Sequence, residues 1–417
     1  MRSFSPHYYL WSVVVSVFLR INVFAQNPPA DLPYPKLIKG ISLHHLLNWP
    51  DAKTDKGKTE YIWPPFETPE YQISDTELVH LKAMGFDFLR VTVDPSIFLA
   101  HSASADSPKR KHLIQVSKTT IQRLIDAGFS VLFDLHPVGV NPDYAPLKLV
   151  ESINSPTFKA YADLVEVLAG SFAQLDANRF AFELMNEPWL DTQEEVARWQ
   201  AMMELLHTRA RKGSATLPLV LTGAQWGDRK ALMRLDLKPF KNSNVLYTFH
   251  YYDPHTFTHQ GVEGDEAEFL AGLNWSISQD NLKKVREQAY RRIEGTKNSS
   301  KEIKQIKDVT TKLLKDYELT AHDQTRVRSD FEALSKWATS EGIPVQRIFL
   351  GEFGCVASAH KVPVGASHSV WLRSIRETAE AFGFPWALWA YKGYGGMGLI
   401  EGGKVDKGIA AGLNLSE

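Results

Sequence analysis

Two glutamates lie where apolar segments of the sequence end. Glu187 belongs to FELMNEPWL at residues 182–190, and Glu352 belongs to RIFLGEFGC at residues 347–355. Pro188 cannot continue a central strand, so Glu187 is expected where its strand leaves the sheet. Two carboxyl groups that flank a sugar linkage can hydrolyse it, because one protonates the leaving oxygen while the other acts as a nucleophile or base. Glu187 and Glu352 are therefore a candidate pair for glycoside hydrolysis.

Other polar side chains also follow apolar segments, namely Arg90, His136, Asn186, His250, Tyr252 and Trp389. One arginine or histidine in such a place is commonly a structural hydrogen-bonding residue, but polar residues at most strand ends together indicate a site. Hydrolysis needs one carboxyl group kept protonated by burial or a like charge, and the other kept ionised by nearby donors. Arg90 and Tyr252 are suitable donors to a carboxylate. Asn186 can hold a sugar hydroxyl, and Trp389 offers a flat face for the ring.

The segments that carry these residues predict eight strands, rich in Val, Ile, Leu and aromatic residues. They span residues 37–43, 86–93, 129–136, 179–185, 217–223, 244–252, 346–353 and 385–391. Helical patterns lie between them at residues 76–85, 119–128, 156–175, 193–211 and 366–382, the first two ending on Gly85 and Gly128 as helices commonly do. Eight strand–helix units predict a closed (β/α)₈ TIM barrel. An open doubly wound sheet is disfavoured, because no G-x-G-x-x-G follows the first strand.

One interval is too long for a plain connection. Residues 253–345, between the sixth and seventh strands, contain three strongly charged helical stretches. Such stretches are usually solvated helix faces with lysine–glutamate pairs, which is the favoured interpretation. The alternative is an inserted helical subdomain beside the substrate groove. Since no internal repeat or low-complexity linker is evident, residues 26–417 are expected to form one catalytic domain with a helical insertion.

The composition is that of a globular protein with 417 residues, 44% of them hydrophobic and 23% charged. A formal net charge of −1 favours neither nucleic acid nor an anionic membrane as a partner. Cys355 is the single cysteine, so no internal disulfide can form. A buried, inert thiol is favoured over a nucleophilic one, which would need a nearby base and a lowered pKa.

The N-terminus is typical of a secretory signal peptide covering residues 1–25. Arg2 precedes an apolar run at residues 10–19, and VFA before Gln26 fits the cleavage rule for small residues. The run is shorter than the roughly 20 residues that span a bilayer, although an uncleaved anchor is the alternative. The expected destination is secreted or periplasmic, with no membrane association after cleavage.

The motifs together resemble family 5 of the glycoside hydrolases, the cellulase family A group, in its endoglucanase-like form. The resemblance runs from KGISLHHLLNWP through GFDFLRVTVD, VLFDLHP, LMNEP, FHYYDP and LGEFG to WALWAYKGYGGMGLIE, and so covers most of the chain after residue 25. LMNEP with a downstream GEFG indicates the clan of retaining (β/α)₈ enzymes. The histidine and tyrosine of HYYDP and the arginine and histidine at strand ends narrow it to the family.

The resemblance implies Glu187 as general acid/base and Glu352 as nucleophile, about 5–5.5 Å apart as retention of configuration requires. Arg90 and Tyr252 would hold and ionise Glu352, and Asn186 would bind the sugar 2-hydroxyl. The remaining matching positions would line the cleavage subsite: His136 and His250 at its walls and Trp389 as its floor. The mechanism needs no metal and no organic cofactor. The expected partner is a β-linked polysaccharide or oligosaccharide, and the protein is expected to be a monomer.

Several alternatives stay open. Endo-β-1,4-glucanase is the preferred activity because the GGMGLIEG tail is glucanase-like, but β-mannanase, xyloglucanase and exo-β-glucosidase use the same scaffold. From different classes come a non-catalytic carbohydrate-binding barrel and a metal enzyme using His250, His255 and His259, which Pro254 disfavours. His44 and His45 either contact substrate or pack. Trp189 and Trp226 either stack on sugars outside the cleavage subsite or do not.

Overall fold

Eight parallel strands close into a barrel in the computed structural model, which describes residues 32–101, 107–241, 243–275, 277–393 and 395–416. The strands are β1 (Lys39–Leu47), β2 (Phe88–Val93), β3 (Ser130–Leu135), β4 (Phe180–Glu183), β5 (Leu219–Thr222), β6 (Val245–His250), β7 (Ile348–Phe353) and β8 (Trp386–Leu388). Each strand pairs with its neighbours in the chain, and β1 closes the barrel by pairing with both β8 and β2. The predicted barrel is confirmed, and the predicted signal peptide lies outside the described residues.

The barrel has two apolar layers. Inward-facing side chains fill its interior: Phe88, Leu132, Ala181, Val220, Leu246, Phe349 and Ala387, with Leu37 beneath them. Outward-facing side chains of the same strands pack against the surrounding helices in a much larger core. Because both faces are buried, the strands read as near-continuous apolar runs, as parallel strands do. Charged residues are therefore conspicuous where they do occur, as with Arg90 in the middle of β2 and Glu183 and Glu352 at or near the ends of β4 and β7.

The principal helices are α1 (Asp75–Ala83), α2 (Pro108–Asp126), α3 (Pro156–Phe172), α4 (Gln193–Gly213), α5 (Gln279–Glu294), α6 (Ser300–Thr320), α7 (Gln324–Glu341), α8 (Ala366–Phe382) and α9 (Lys407–Leu413). Gly85 and Gly128 have φ of +91° and +88°, so both predicted helix ends are confirmed. The second helix is longer than predicted: it begins at Pro108, a residue suited to a first helical turn, rather than near residue 119.

Helices α5, α6 and α7 form the predicted insertion between β6 and β7. Their outer faces carry i,i+4 ion pairs such as Lys312–Asp316 at 2.6 Å and Lys336–Glu332 at 2.7 Å. Their inner faces are buried, and on α7 the ring of Phe331 lies 5.5 Å from that of Phe249 on β6. Helix α7 thus packs directly on the barrel, so the charged stretches are more than solvated faces.

Short elements complete the described chain. Three hairpins pair Ala52–Asp55 with Lys58–Tyr61, Ser358–Ala359 with Val362–Pro363, and Ile400–Glu401 with Lys404–Val405. Single-turn helices span Ser96–Ala100, Pro146–Leu149, Arg229–Leu232 and His255–Thr258, a left-handed turn spans Ala224–Gly227, and 3₁₀ turns span Pro69–Tyr71, Pro142–Tyr144, Lys238–Phe240 and Val345–Arg347. Among the described residues, no helix has the length and apolar character needed to cross a membrane.

Candidate active site

The carboxyl ends of the strands open into a cleft of about 900 Å³. Its lining includes seven of the eight predicted site residues: His136, Asn186, Glu187, His250, Tyr252, Glu352 and Trp389. Arg90 lies just beneath and is fully buried. The structure therefore brings all eight predicted residues to one mouth of the barrel, as parallel strands with a common direction must.

Arg90, near the middle of β2, is the hub of the site. Its Nη1 donates to Glu352 Oε1 at 2.6 Å, and its Nε and Nη2 donate to the two oxygens of Glu183, each at 2.8 Å. Nη2 also donates to Asn186 Oδ1 at 2.7 Å and forms an ion pair with Asp134 Oδ2 at 2.9 Å. A buried guanidinium can satisfy several carboxylates at once because its donors lie in a fixed planar fork.

Glu352, near the end of β7, is held through both carboxylate oxygens. Arg90 contacts Oε1, while the hydroxyl of Tyr252 donates to Oε2 at 2.9 Å. Gly351 lets β7 approach β6 closely, because a Cβ there would lie 2.2 Å from Thr248 Oγ1 and 3.3 Å from His250 Nε2. Burial raises the pKa of Glu352 to about 7, against the lowering effects of His250 and Arg90. The two donors favour its ionised form.

Glu187 has a different environment. His250 Nδ1 lies 2.6 Å from Glu187 Oε1, and 22 % of the Glu187 side chain is exposed to the cleft, against 4 % for Glu352. Burial raises the pKa of Glu187 to about 8. Burial also lowers the pKa of His250, so its ring is neutral at neutral pH. Its Nε2 is buried without a hydrogen-bond partner among the described residues, which places the proton on Nδ1, facing Glu187.

The two glutamates are close together. A carboxylate oxygen of Glu187, one of Glu352 and a ring nitrogen of His250 all lie within 4.8 Å of one another. This spacing is compatible with the roughly 5–5.5 Å between carboxyl groups in retaining glycosidases, and it is shorter than the roughly 6.5–9.5 Å in inverting ones. Burial raises the pKa of Glu187 more than that of Glu352, and Glu187 has fewer hydrogen-bond donors.

His136 and Asn186 form an ordered pair at the cleft wall. Asn186 Oδ1 accepts from Arg90, so its Nδ2 must donate, and it lies 3.3 Å from His136 Nε2. The His136 proton therefore sits on Nδ1, 2.8 Å from Asp134 Oδ2. The His136 ring stacks on Trp389 with 5.3 Å between centroids and 9° between planes. The network fixes both side chains and leaves the second Nδ2 hydrogen of Asn186 for a ligand.

His44 and His45, both on β1, have different environments. His44 lines the cleft, with Nδ1 2.8 Å from Thr92 Oγ1 and its ring 4.5 Å from that of Trp389. The indole Nε1 of Trp49 donates to His44 Nε2 at 2.7 Å, which extends the aromatic floor to Trp49. His45 instead packs near Tyr391, with 5.8 Å between ring centroids, and does not line the cleft.

Trp189 and Trp226 lie side by side at the other end of the cleft, with 6.4 Å between ring centroids and about two-fifths of each side chain exposed. Trp226 has a φ of +54°, a strained value for a non-glycine residue. Its loop is held by backbone bonds, since Trp226 N donates to Pro188 O at 3.3 Å and Gln225 N to Leu190 O at 3.1 Å. These hydrogen bonds connect the loop after β4 to the loop after β5 and hold the two indole rings next to each other at the edge of the cleft.

The histidine triad of the metal hypothesis does not assemble. His250 ends β6 and contacts Glu187, whereas His255 and His259 flank a separate short helix after Pro254. The rings of His255 and His259 stack with 4.0 Å between centroids, and His255 Nε2 lies 2.8 Å from Asp265 Oδ2. This geometry overturns a helix-borne site using all three histidines.

Sequence reasoning missed three residues of the site: Asp134, Glu183 and Trp49. Asp134 lies on β3 two residues before His136, and Glu183 lies on β4 four residues before Glu187, so each precedes a predicted site residue. An alternation signal was present, because residues two apart on a strand share a face. Burial raises the pKa of Asp134 to about 7 and that of Glu183 to about 6.

A closed (β/α)₈ barrel with two close carboxyl groups and an aromatic cleft at its carboxyl-terminal mouth is an architecture of glycoside hydrolases. The model of one such family, Cellulase (glycosyl hydrolase family 5), matches residues 54–395. The chain belongs to glycosyl hydrolase family 5, as its motifs suggested.

The chain is also similar in sequence to a curated endoglucanase and in fold to solved structures. Endoglucanase 3 of Fibrobacter succinogenes is 23% identical over 416 residues, which cover 97% of this chain and 56% of that protein. The chain thus spans little more than half the length of this relative. The cellulose synthase subunit Z of Clostridioides difficile has a TM-score of 0.62 at 20% identity, covering 91% of this chain and 99% of that one. Cel5A of Thermotoga maritima, in complexes with cellobiose and with mannotriose, has 0.62 at 19% identity, with 90% and 97% covered.

Proposed function

We propose that the protein is a retaining endo-β-1,4-glucanase that uses Glu187 as acid/base and Glu352 as nucleophile. The observation that carries the proposal is the unequal treatment of two carboxyl groups within 4.8 Å of each other. Glu352 receives hydrogen bonds from Arg90 and Tyr252, whereas Glu187 contacts a neutral histidine and has the more strongly raised pKa. Such divergent environments separate an acid from a nucleophile.

In the first step, the oxygen of Glu352 attacks the anomeric carbon while Glu187 gives its proton to the leaving glycosidic oxygen. The bond from carbon to Glu352 forms as the glycosidic bond breaks. His250 Nδ1–H occupies one oxygen of Glu187, so the transferable proton belongs to the other oxygen. Arg90 and Tyr252 lose part of their ion-pair and hydrogen-bond partner as the ester forms.

In the second step, Glu187 is ionised and takes a proton from water, whose oxygen attacks the same carbon from the opposite face. Glu352 leaves as a carboxylate, which Arg90 and Tyr252 are placed to accept again. Two inversions give a product with retained β configuration. Asn186 supplies a free N–H, which supports a hydrogen bond to the sugar 2-hydroxyl throughout.

The aromatic side chains suggest how a polymer crosses the cleft. Trp389 would carry the sugar whose bond is cut, because it lies beside His136 and His44. Trp49 would extend binding on that side, and Trp189 with Trp226 would bind sugars beyond Glu187. Binding surfaces on both sides of the reacting pair favour internal cleavage over release of single terminal sugars.

The test is reducing-sugar release by the purified protein from a soluble cellulose derivative, mixed-linkage glucan, galactomannan and xyloglucan. Glu187→Gln and Glu352→Gln are measured beside it, and Glu332→Gln on the exposed face of α7 serves as a matched carboxyl-to-amide control. Activity on glucans that both site variants lose and the control keeps is the expected result. Configuration of the first-formed product, followed by NMR, tests retention directly.

Other outcomes point elsewhere. Activity only on mannan would keep the mechanism and change the substrate, an alternative raised by the mannotriose complex of Cel5A. Xyloglucanase and exo-β-glucosidase are separated by the same panel extended with short oligosaccharides. Binding without hydrolysis of any substrate would overturn the enzymatic proposal in favour of a carbohydrate-binding barrel.

Export is part of the proposal and rests on the sequence. We expect cleavage after residue 25 and a monomeric product. N-terminal sequencing of the protein made in a secreting host should find Gln26 first, and light scattering should give the mass of one chain. A full-length, membrane-associated product would contradict cleavage.

A further inference from the structure

A buried polar cluster lies behind the loop that follows β6. Arg229 Nη2 forms an ion pair with Asp330 Oδ2 at 2.6 Å, and Arg229 Nη1 contacts Asp253 Oδ2 at 2.9 Å. The hydroxyl of Tyr251 lies 3.0 Å from Asp330 Oδ2 and 3.1 Å from His322 Nε2. Arg229, Tyr251, His322 and Asp330 are all buried, so each is costly to leave without its partners.

The cluster joins three parts of the fold. Arg229 begins a short helix after β5, and Tyr251 follows the last residue of β6. His322 lies between α6 and α7, and Asp330 is on α7, so both come from the inserted segment. Asp253, His322 and Asp330 are close enough to hold a metal ion, but Arg229 already provides the positive charge at their centre. The cluster therefore connects the inserted helices to the barrel through buried ion pairs and hydrogen bonds.

The buried cluster is connected to the proposed nucleophile, Glu352, through Tyr251 and the residue that follows it. The backbone N–H of Tyr251 donates to the carbonyl oxygen of Glu352 at 3.0 Å. The next residue, Tyr252, donates its hydroxyl to the Glu352 carboxylate at 2.9 Å. On the far side of the loop, Trp371 Nε1 donates to the carbonyl oxygen of Asp253 at 3.1 Å. Whatever fixes Tyr251 thus also fixes two hydrogen bonds to Glu352.

We propose that the inserted helices position the nucleophile: Asp330 and His322 are positioning residues that act through Tyr251 and Tyr252 on Glu352. The inference rests on the proposed function, since it assigns Glu352 the nucleophilic role. The proposal assigns the inserted helices α5–α7 a role in positioning Glu352, although a single helix would be enough to connect β6 to β7. The inserted helices are fixed to the loop after β6 because Asp330 and Asp253 both pair with the buried Arg229.

The test compares Asp330→Asn with Glu332→Gln, a carboxyl-to-amide change two residues along the same helix at an exposed ion pair. Asp330→Asn keeps the size of the side chain and removes the charge that faces Arg229. Tyr251→Phe is a second variant, which removes the hydroxyl but keeps the ring packed 5.3 Å from that of Phe331. Thermal unfolding, kcat, KM and the pH dependence of kcat/KM are measured for each.

We expect kcat of Asp330→Asn and Tyr251→Phe to fall roughly tenfold to a hundredfold with little change in KM, because misplacement of a reacting group by about 1 Å has that effect. The acid limb of the pH profile should move to higher pH, since a weaker Tyr252 contact favours protonated Glu352. The charged and titratable groups that face Glu352 are Arg90, Asp134, His136, Glu187, His250 and Tyr252, and none is changed. Glu332→Gln should match the parent protein.

Unchanged kcat and an unchanged acid limb in folded Asp330→Asn and Tyr251→Phe would overturn the positioning role, even if both melt at lower temperature. A crystal structure of Asp330→Asn provides a readout that does not depend on activity. A Tyr252–Glu352 contact kept at 2.9 Å would also overturn the inference. Failure of the proposed function is distinguishable, because it would appear in the parent protein and in the Glu352→Gln comparison.

Discussion

Removing the hydroxyl group of Tyr252 tests directly how the ionisation of Glu352 is controlled. Tyr252→Phe deletes the 2.9 Å hydrogen bond to Glu352 Oε2 and leaves the 2.6 Å contact from Arg90 to Oε1. A hydrogen bond to a charged group contributes about 1.5–3 kcal/mol. Since one pKa unit corresponds to about 1.4 kcal/mol, the pKa of Glu352 should rise by roughly 1–2 units from its value of about 7.

The nucleophile must be ionised, so a higher pKa removes active enzyme at low pH. We expect kcat/KM of Tyr252→Phe to fall roughly 10- to 100-fold at pH 6 and by less at pH 8, because the ionised fraction changes tenfold for each pKa unit. The assay is a full pH profile of kcat/KM on a soluble substrate. Tyr61→Phe is the matched control, since it removes a buried hydroxyl that contacts Ser96 at 2.6 Å, away from the cleft.

A uniform loss at every pH would refute this reasoning. It would mean that Tyr252 acts on the substrate or on the loop and not on the ionisation of Glu352. An acid limb that moves to lower pH would contradict the assignment of Glu352 as the ionised partner. Equal shifts in Tyr252→Phe and Tyr61→Phe would point to a general loss of rigidity.

Three further predictions follow from the same geometry. Trp189→Ala and Trp226→Ala should each raise KM for long oligosaccharides about 2- to 12-fold, the equivalent of about 0.5–1.5 kcal/mol of ring stacking, with little effect on two-sugar chromogenic substrates. Glu187→Gln should raise the melting temperature at pH 7.5 but not at pH 4. The pKa of Glu187 is about 8 in the folded protein and near 4.5 in the unfolded chain, so the parent protein becomes less stable as the pH rises from about 4.5 to 8, and glutamine removes this loss. Arg90→Lys should abolish activity and lower the free energy of unfolding by about 3–5 kcal/mol in a urea titration, because buried carboxylates lose their partner.

The sequence predicts the barrel well because its strands are buried on both faces. Each of the eight predicted segments overlaps a barrel strand, although β1 runs on to Leu47, beyond the predicted end at residue 43, and the glycine-terminated helices end where expected. Helix α2 starts 11 residues before the predicted position, because PKRKHLIQVSK is mostly polar. Periodicity detects a helix through an apolar buried face, and of the three buried residues in this stretch, Arg110, Leu113 and Ser117, only Leu113 is apolar.

The candidate site was only half visible in the sequence. Glu187 and Glu352 stand out because they interrupt apolar runs where strands end, whereas Arg90 was predicted at a strand end but lies near the middle of β2. Asp134 and Glu183 lie inside such runs, and their meaning depends on pairing across strands: Asp134 is in register with Glu183 on β4. No spacing within one segment reveals that two carboxylates from different strands share one guanidinium. The link from Asp330 to Tyr251 spans 79 residues and is hidden for the same reason.

The missed carboxylates also explain why a proton stays on Glu187. Arg90 supplies one positive charge, while Asp134, Glu183, Glu187 and Glu352 could supply four negative ones, and burial together with the neighbouring carboxylates raises the pKa of each. The single guanidinium of Arg90 cannot neutralise four buried carboxylates. The carboxyl group that receives the weakest hydrogen bonds is therefore the one that protonates most readily. Glu183 takes two hydrogen bonds from Arg90, and Glu352 takes one from Arg90 and one from Tyr252. Arg90 donates to Glu183, Glu352 and Asn186, whereas Glu187 is paired with neutral His250. The charge of Arg90 still lowers the pKa of Glu187, but burial and the negative charge of Glu183 raise it, so Glu183 favours the protonated form of Glu187 without contacting it.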